Sequence, residues 1–161
     1  MGPFIYGTDG TGGENLIVPT GGMRHPRTLE TAIESQDASG NVRSRDHLFM
    51  NGGEVFNFTL RTVPACVNAL LERANTQLQA VDRFVFHQAN EYILDHLRRK
   101  LKIPEEKFLV SMQHCGNTVS STIAIALKEA WKKGLLEPGH LIMLVGFGVG
   151  YSWSATLLRW I

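Results

Sequence analysis

Cysteine is scarce in this sequence of 161 residues: Cys66 and Cys115 are the two. Two thiols make a poor disulfide framework and favour a reduced, cytoplasmic setting. Net charge is equally small, +1 from 16 Lys and Arg against 15 Asp and Glu. It gives no electrostatic reason to expect a nucleic-acid or acidic-membrane partner. No apolar run reaches the roughly 18 residues of a membrane span. The start, Met1-Gly2-Pro3-Phe4-Ile5-Tyr6, lacks the charged and apolar stretches of a signal peptide. Repeats and low-complexity tracts are absent too. What is present, 43% hydrophobic and 19% charged residues, fits a globular chain of one-domain size with a substantial core.

Residues 1–52 read as a loop-rich segment. Gly7, Gly10, Gly12, Gly13, Gly21, Gly22 and Gly40 stand among Pro3, Pro19 and Pro26, leaving room for short strands at Phe4–Tyr6 and Asn15–Val18. An opening with this much loop reads as the middle of a larger protein. Residues 53–161 read as a regular α/β domain. Apolar spacing predicts a helix over Glu54–Ala74, kinked or split at Pro64. A strand follows at Val81–His87, then an amphipathic helix at Glu91–Leu101 with Asn90 as its N-cap. Phe108–Met112 reads as a strand. Thr118–Lys133 reads as a helix with Val119, Ile123, Leu127 and Ala130 inward, stopped by Gly134. Leu141–Val145 and Ser152–Trp160 are strands of a closing antiparallel hairpin. Alternating strands and helices imply a mixed, mostly parallel sheet with helices packed on it.

Functional residues of such sheets gather at the carboxyl ends of strands, where His87 and Asn117 both fall. A histidine there can donate from a ring nitrogen to an oxygen gaining charge. It can equally be a hydrogen-bonded structural histidine. The Asn117 amide can donate to a carbonyl, or simply cap the next helix. Cys115, near a helix start, is a possible nucleophile, although an inert thiol is the commoner state. Cys66 belongs to a helix's apolar side. The spacing of His87, His96, His114 and Cys115 matches no zinc pattern, so no metal is expected. Glycines 146, 148 and 150 do not open a helix, as a dinucleotide-binding loop would. They fit a hairpin that lets backbone approach a ligand.

Together these motifs resemble the C-terminal part of β-ketoacyl-acyl-carrier-protein synthase III. The residues concerned are Val-Phe-His-Gln-Ala-Asn (85–90), Cys-Gly-Asn-Thr-Val-Ser-Ser (115–121) and Gly-Phe-Gly-Val-Gly-Tyr-Ser-Trp (146–153). Met50–Phe56 and the glycine-rich Thr8–Pro19 extend the likeness over nearly the whole chain. The resemblance implies one half of a thiolase-like fold, with the nucleophilic cysteine in the missing N-terminal half. It implies acyl transfer from acyl-CoA, then condensation with malonyl on acyl-carrier protein and loss of CO2. His87 and Asn117 match the catalytic pair. Asn90, Gly52, Gly53 and Phe56 match positions near the pantetheine arm. Gly148 and Val149 match the glycine loop at the acyl carbonyl. Gln88, Ala89, Asn90, Glu91 and Tyr92 match a carrier-protein contact. No cofactor is implied beyond the CoA and pantetheine thioester substrates. One half of a two-half fold exposes the apolar face that met its partner, so the isolated chain is expected to self-associate, as a homodimer.

The sequence departs from the family at Tyr92, where arginine is common, at Gly53 (asparagine), at Cys115 (histidine) and at Val149 (glycine). A specialised synthase for an unusual acyl chain fits these changes. The basic cluster Arg98, Arg99, Lys100 and Lys102 is either a face for an acidic carrier protein or a solvated helix face. Alternatives are a type III polyketide-synthase-like enzyme using acyl-CoA directly, a non-catalytic partner subunit, and a thiolase proper. Lacking the nucleophile, the chain alone is expected to have no condensing activity.

Overall fold

The structure is a computed structural model and describes residues 1–148 and 150–161. The strands are β1 (Phe4–Thr8), β2 (Leu16–Ile17), β3 (Ser35–Gln36), β4 (Val42–Arg43), β5 (Phe49–Met50), β6 (Arg83–Phe86), β7 (Leu141–Gly148) and β8 (Ser152–Arg159). The helices are α1 (Gly52–Arg73), α2 (Glu91–Leu101) and α3 (Thr122–Lys132). The main sheet has the order β1-β8-β7-β6. Strands β6 and β7 are parallel, while β7–β8 and β8–β1 are antiparallel. The early segment therefore supplies an edge strand to the main sheet. Its other strands form two separate two-stranded pairs, β2–β5 and β3–β4, and β3, β4 and β5 were not among the expected elements.

Side chains on a strand alternate between faces, and the core divides accordingly. Phe84, Phe86, Met143, Val145, Ala155 and Leu157 pack with α1 and α2 on one face. Val85 and Ile142 pack with Ala126 and Ala130 of α3 on the other. Strand β6 is buried on both faces, as a run of Phe-Val-Phe requires. The result is three layers, α1 and α2, then the sheet, then α3.

Helix α1 runs unbroken through Pro64 for 22 residues, so the expected split does not occur. Proline removes the donor that would reach the carbonyl four residues back. That carbonyl belongs to Leu60, and the Lys100 ammonium donates to it at 2.7 Å. The same contact ties α2 to α1. The two arginines of the basic cluster are also committed locally. Arg98 and Arg99 pair with Asp95, and Lys102 is the left-handed C-cap of α2.

The expected strand Phe108–Met112 reduces to one parallel bridge, Phe84 to Phe108. The reason lies in Gln88, whose side chain is 0% exposed. Its amide nitrogen donates to the carbonyls of Phe86 and Leu109, and its amide oxygen accepts from the Ser111 N–H. A side chain thus takes the place of the next ladder rungs. Gln88 consequently has no surface to offer a partner protein, contrary to the sequence-based expectation.

Helix α3 starts at Thr122, after a single 3-10 turn over Val119–Ser121. Val119, expected to face inward, is 72% exposed. Its φ of +57° turns the chain in a left-handed conformation that a β-branched residue seldom adopts, so it leaves the helical register.

Candidate active site

His87 extends the β6–β7 ladder by one rung, its N–H donating to Val145 O at 2.8 Å. The next residues leave the sheet, which places the imidazole just past the carboxyl end of β6. Its ring is half-buried and edge-on to Phe147, with centroids 5.4 Å apart at 79°. Nδ1 lies 2.7 Å from the hydroxyl of Thr122, at the start of α3. Burial holds the ring's pKa below its ordinary value, against a smaller opposing effect of a hydrogen bond with the Val119 backbone.

Asn117 reaches the same place from the turn between Met112 and α3. Gly116, at φ +61°, makes that turn possible, and its N–H closes it on Met112 O at 2.8 Å. The Asn117 carbonyl oxygen accepts from the Val119 N–H at 2.8 Å. That contact fixes which end of the amide is which, and leaves the NH2 group free as a donor.

Both residues stand on a wall shared by two cavities. The first, about 220 Å³, lies among Val55, Phe58 and Thr59 of α1, Ala89, Asn90 and Ile93 ahead of and within α2, and Tyr151. The second, about 620 Å³, opens over the sheet face formed by Tyr6 to Thr8, Gly146 to Gly148 and Ser152 to Ser154. Leu16, His87, Asn117, Phe147 and Gly148 line both. A group entering one cavity and a group entering the other would meet at this pair.

Other expected site residues divide. Asn90 lines the smaller cavity and also caps α2, accepting from the Ile93 N–H at 2.8 Å. Ala89 lines it too. Gly52 and Gly53 are the first residues of α1, capped by the Asn51 side chain, so they form no separate turn. Phe56 is absent from both linings and stacks on Tyr92 at 5.5 Å and edge-on to His96 at 5.6 Å. Glu91 is exposed, and Tyr92 is 64% exposed. Val149 lies outside the described residues. Cys115 is exposed, lines neither cavity, and its Sγ is 3.8 Å from Ser111 O. Among the described residues no three His, Cys, Asp or Glu side chains stand together as a metal cluster. No helix there is long and apolar enough to cross a membrane.

Sequence reasoning missed Phe58, Thr59, Tyr151 and Thr122. Val55 and Thr59 are four apart on α1, and that spacing alone would have put both on one face. Tyr151 gave no signal, because its place depends on a stack with Phe58, 4.0 Å between centroids and 7° from parallel. Its ring packs on Gly12, where an added Cβ would lie 2.0 Å from the ring edge. The Tyr151 side chain is 5% exposed in total, and its hydroxyl has no hydrogen-bond partner. An orphaned buried hydroxyl costs about 1–3 kcal/mol. Tyr151→Phe is therefore expected to raise stability by about 1 kcal/mol in urea denaturation. A fall in stability would show that the hydroxyl has a partner in solution.

The two thiols differ sharply. Burial pushes Cys66 up to about 11, which keeps it a neutral thiol with little nucleophilic character. A thiol reagent on the native chain is expected to label Cys115 first and Cys66 only after unfolding. Equal labelling rates, read by mass spectrometry, would contradict the burial of Cys66.

Comparison with known proteins accords with this geometry. Residues 71–160 match the family described as the C-terminal part of 3-oxoacyl-[acyl-carrier-protein] synthase III. The β-ketoacyl-[acyl-carrier-protein] synthase III of Caldanaerobacter subterraneus is 35% identical over 160 residues, 99% of this chain and 45% of that protein. The enzyme of the same name from Natranaerobius thermophilus is 37% identical over 158 residues, 98% of this chain and 45% of that protein. A crystal structure of a 3-oxoacyl-(acyl-carrier-protein) synthase III superposes with a TM-score of 0.96 at 52% identity, covering 99% of this chain and 47% of that one. The synthase III of Thermus thermophilus gives 0.78 at 34% identity, over 98% and 45%. This chain thus spans about half the length of its relatives, and their fold is thiolase-like. The chain belongs to the 3-oxoacyl-[acyl-carrier-protein] synthase III family and corresponds to its C-terminal half.

Proposed function

We propose that this chain supplies the donor half of a decarboxylating condensing enzyme, a β-ketoacyl-acyl-carrier-protein synthase III. The observation that carries the reading is the shared wall: His87 and Asn117 border both cavities at once. The smaller cavity takes the pantetheine arm of a malonyl thioester. The larger one faces the N-terminal half, which brings the acylated cysteine. Exposed Phe4 and Tyr6 on edge strand β1 fit a sheet face that another half covers.

The chemistry requires two donors and no metal or cofactor. When the C–CO2 bond of the malonyl group breaks, its electron pair forms an enolate, and negative charge gathers on the thioester oxygen. Two fixed N–H groups stabilise that oxygen, each contributing about 3 kcal/mol by comparison with other oxyanion holes. Asn117 offers its free NH2. His87 offers a ring nitrogen, and burial lowers the pKa of that ring. The enolate carbon then attacks the acyl thioester on the cysteine of the other half. The new carbon–carbon bond forms as the thiolate leaves.

The substrates in this reading are acyl-CoA and malonyl on acyl-carrier protein, with Glu91 and Tyr92 as the exposed part of the carrier contact. The setting is the cytoplasm, and the assembly a homodimer of complete chains. The test is the complete protein, this chain joined to its N-terminal half, supplied with acyl-CoA and malonyl on either carrier. One CO2 per β-ketoacyl product, with malonyl-carrier protein preferred, supports the reading. Preference for malonyl-CoA would make it a type III polyketide-synthase-like enzyme, and no product at all would make it a non-catalytic partner.

A further inference from the structure

We propose that Thr122 is the positioning residue that decides which ring nitrogen of His87 carries the proton. The proposal rests on the reading of His87 as a donor. A neutral imidazole has one N–H, so the partner of one nitrogen sets what the other can do. Nδ1 has Thr122 Oγ1 at 2.7 Å. The same hydroxyl lies 3.0 Å from Val119 O. One hydroxyl proton therefore has two acceptors within reach.

The two arrangements have opposite consequences. When the Thr122 hydroxyl donates to Val119 O, its oxygen accepts from Nδ1–H, and Nε2 presents a bare lone pair. An oxygen gaining negative charge would be repelled by that lone pair. When the hydroxyl instead donates to Nδ1, the ring proton sits on Nε2, which can then donate to that oxygen. The change needs rotation about the Cβ–Oγ bond of Thr122 and relocation of the ring proton, with no heavy atom displaced. One proton leaves Nδ1 and one arrives at Nε2 by exchange with water, so net charge is unchanged. Val119 O only accepts and cannot hold the second arrangement. Thr122 is the side-chain hydrogen-bond partner of the ring among the described residues, and it is 2% exposed, so bulk water does not replace it.

The backbone at Val119 supports this role. Its left-handed φ of +57° is a strained conformation for a β-branched residue. The conformation aims its N–H at the Asn117 carbonyl oxygen, at 2.8 Å, and its C=O at the Thr122 hydroxyl, at 3.0 Å. One strained residue thus orients the Asn117 amide and holds the resting position of the hydroxyl that governs His87.

The experiment uses the complete protein. Thr122→Val keeps the shape and removes the hydroxyl, leaving Nδ1–H to the Val119 carbonyl and Nε2 unprotonated. Its kcat for condensation is expected to fall about 10- to 100-fold, the usual scale for groups that orient a functional histidine. KM for the malonyl thioester should stay within about two-fold, since binding contacts are untouched. Thr122→Ser, which retains the hydroxyl, should recover most of the rate, and Thr122→Ala should behave as Thr122→Val does. Ring nitrogen-15 shifts of His87, with a non-reactive malonyl thioester analogue bound, should place the proton on Nε2 in the parent protein and on Nδ1 in Thr122→Val and Thr122→Ala. Folding of each variant is checked by thermal unfolding, and the shifts report the proton's place even where the rate is depressed by instability. An Nε2 proton retained in both hydroxyl-free variants would overturn the proposal, as would an unchanged kcat. A fall for His87→Ala without one for Thr122→Val would overturn only the role of Thr122. An unchanged rate in His87→Ala would overturn the donor reading itself.

Discussion

Alanine in place of His87 is expected to lower the condensation rate of the complete protein about 10²- to 10³-fold, the usual effect of removing one oxyanion donor. The loss should fall on kcat. On the proposed reading, His87 meets the thioester oxygen most strongly as that oxygen gains charge, so substrate affinity should change little. Asn117→Ala should produce a loss of the same order, because its NH2 is held in place by the Val119 N–H contact on the opposite end of the amide. The double variant should be far less than multiplicatively worse, since residues that serve one charge act as a unit. The measurement is CO2 released and β-ketoacyl product formed at saturating malonyl-carrier protein. A rise in KM with kcat intact would show that the pair binds substrate without stabilising the enolate.

Phe86→Ala is expected to destabilise the fold by about 3–5 kcal/mol, a large part of the roughly 5–15 kcal/mol that holds a domain together. Phe86 is 0% exposed and meets Phe108 edge-to-face at 5.0 Å. It also gives its carbonyl to the buried Gln88 amide. The cavity would open at the residue that precedes His87, so residual folded protein should also be slow. Phe86→Leu, which refills much of the space, should cost about 1.5 kcal/mol or less. Chemical denaturation decides this. A loss near 1 kcal/mol for Phe86→Ala would show that the Gln88 staple, and not the apolar contact, holds this end of β6.

Much of the site was legible because change of period marks strand ends. The apolar run into His87 is a strand pattern and the Ile93, Leu94 and Leu97 spacing is a helical one, so the histidine had to fall between them. The expected strand ahead of Asn117 is not formed beyond Phe108, so its place beside the same two cavities comes from the turn at Gly116. What remained hidden depended on partners distant in sequence. The burial of Gln88 is set by Leu109 and Ser111, more than twenty residues on. The continuity of α1 through Pro64 depends on Lys100, forty residues from the carbonyl it satisfies. Val119 looked like one more apolar helix position, because a sequence does not display a positive φ in a β-branched residue. Thr122 looked like an ordinary residue early in a helix. Its meaning comes from the approach of His87, 35 residues away. The helical period takes in Phe56 and leaves out Phe58. The structure puts Phe58 on the cavity and Phe56 in an aromatic cluster with Tyr92 and His96.

The central claim is that His87 and Asn117 together hold the oxygen that becomes the enolate. The most direct measurement is a crystal structure of the complete protein with a non-reactive malonyl thioester analogue. The thioester oxygen is expected within about 2.7–3.1 Å of both His87 Nε2 and Asn117 Nδ2, with the pantetheine arm running past Asn90 and Thr59. An analogue seated in the same cavity with its oxygen turned away from both nitrogens would contradict the account.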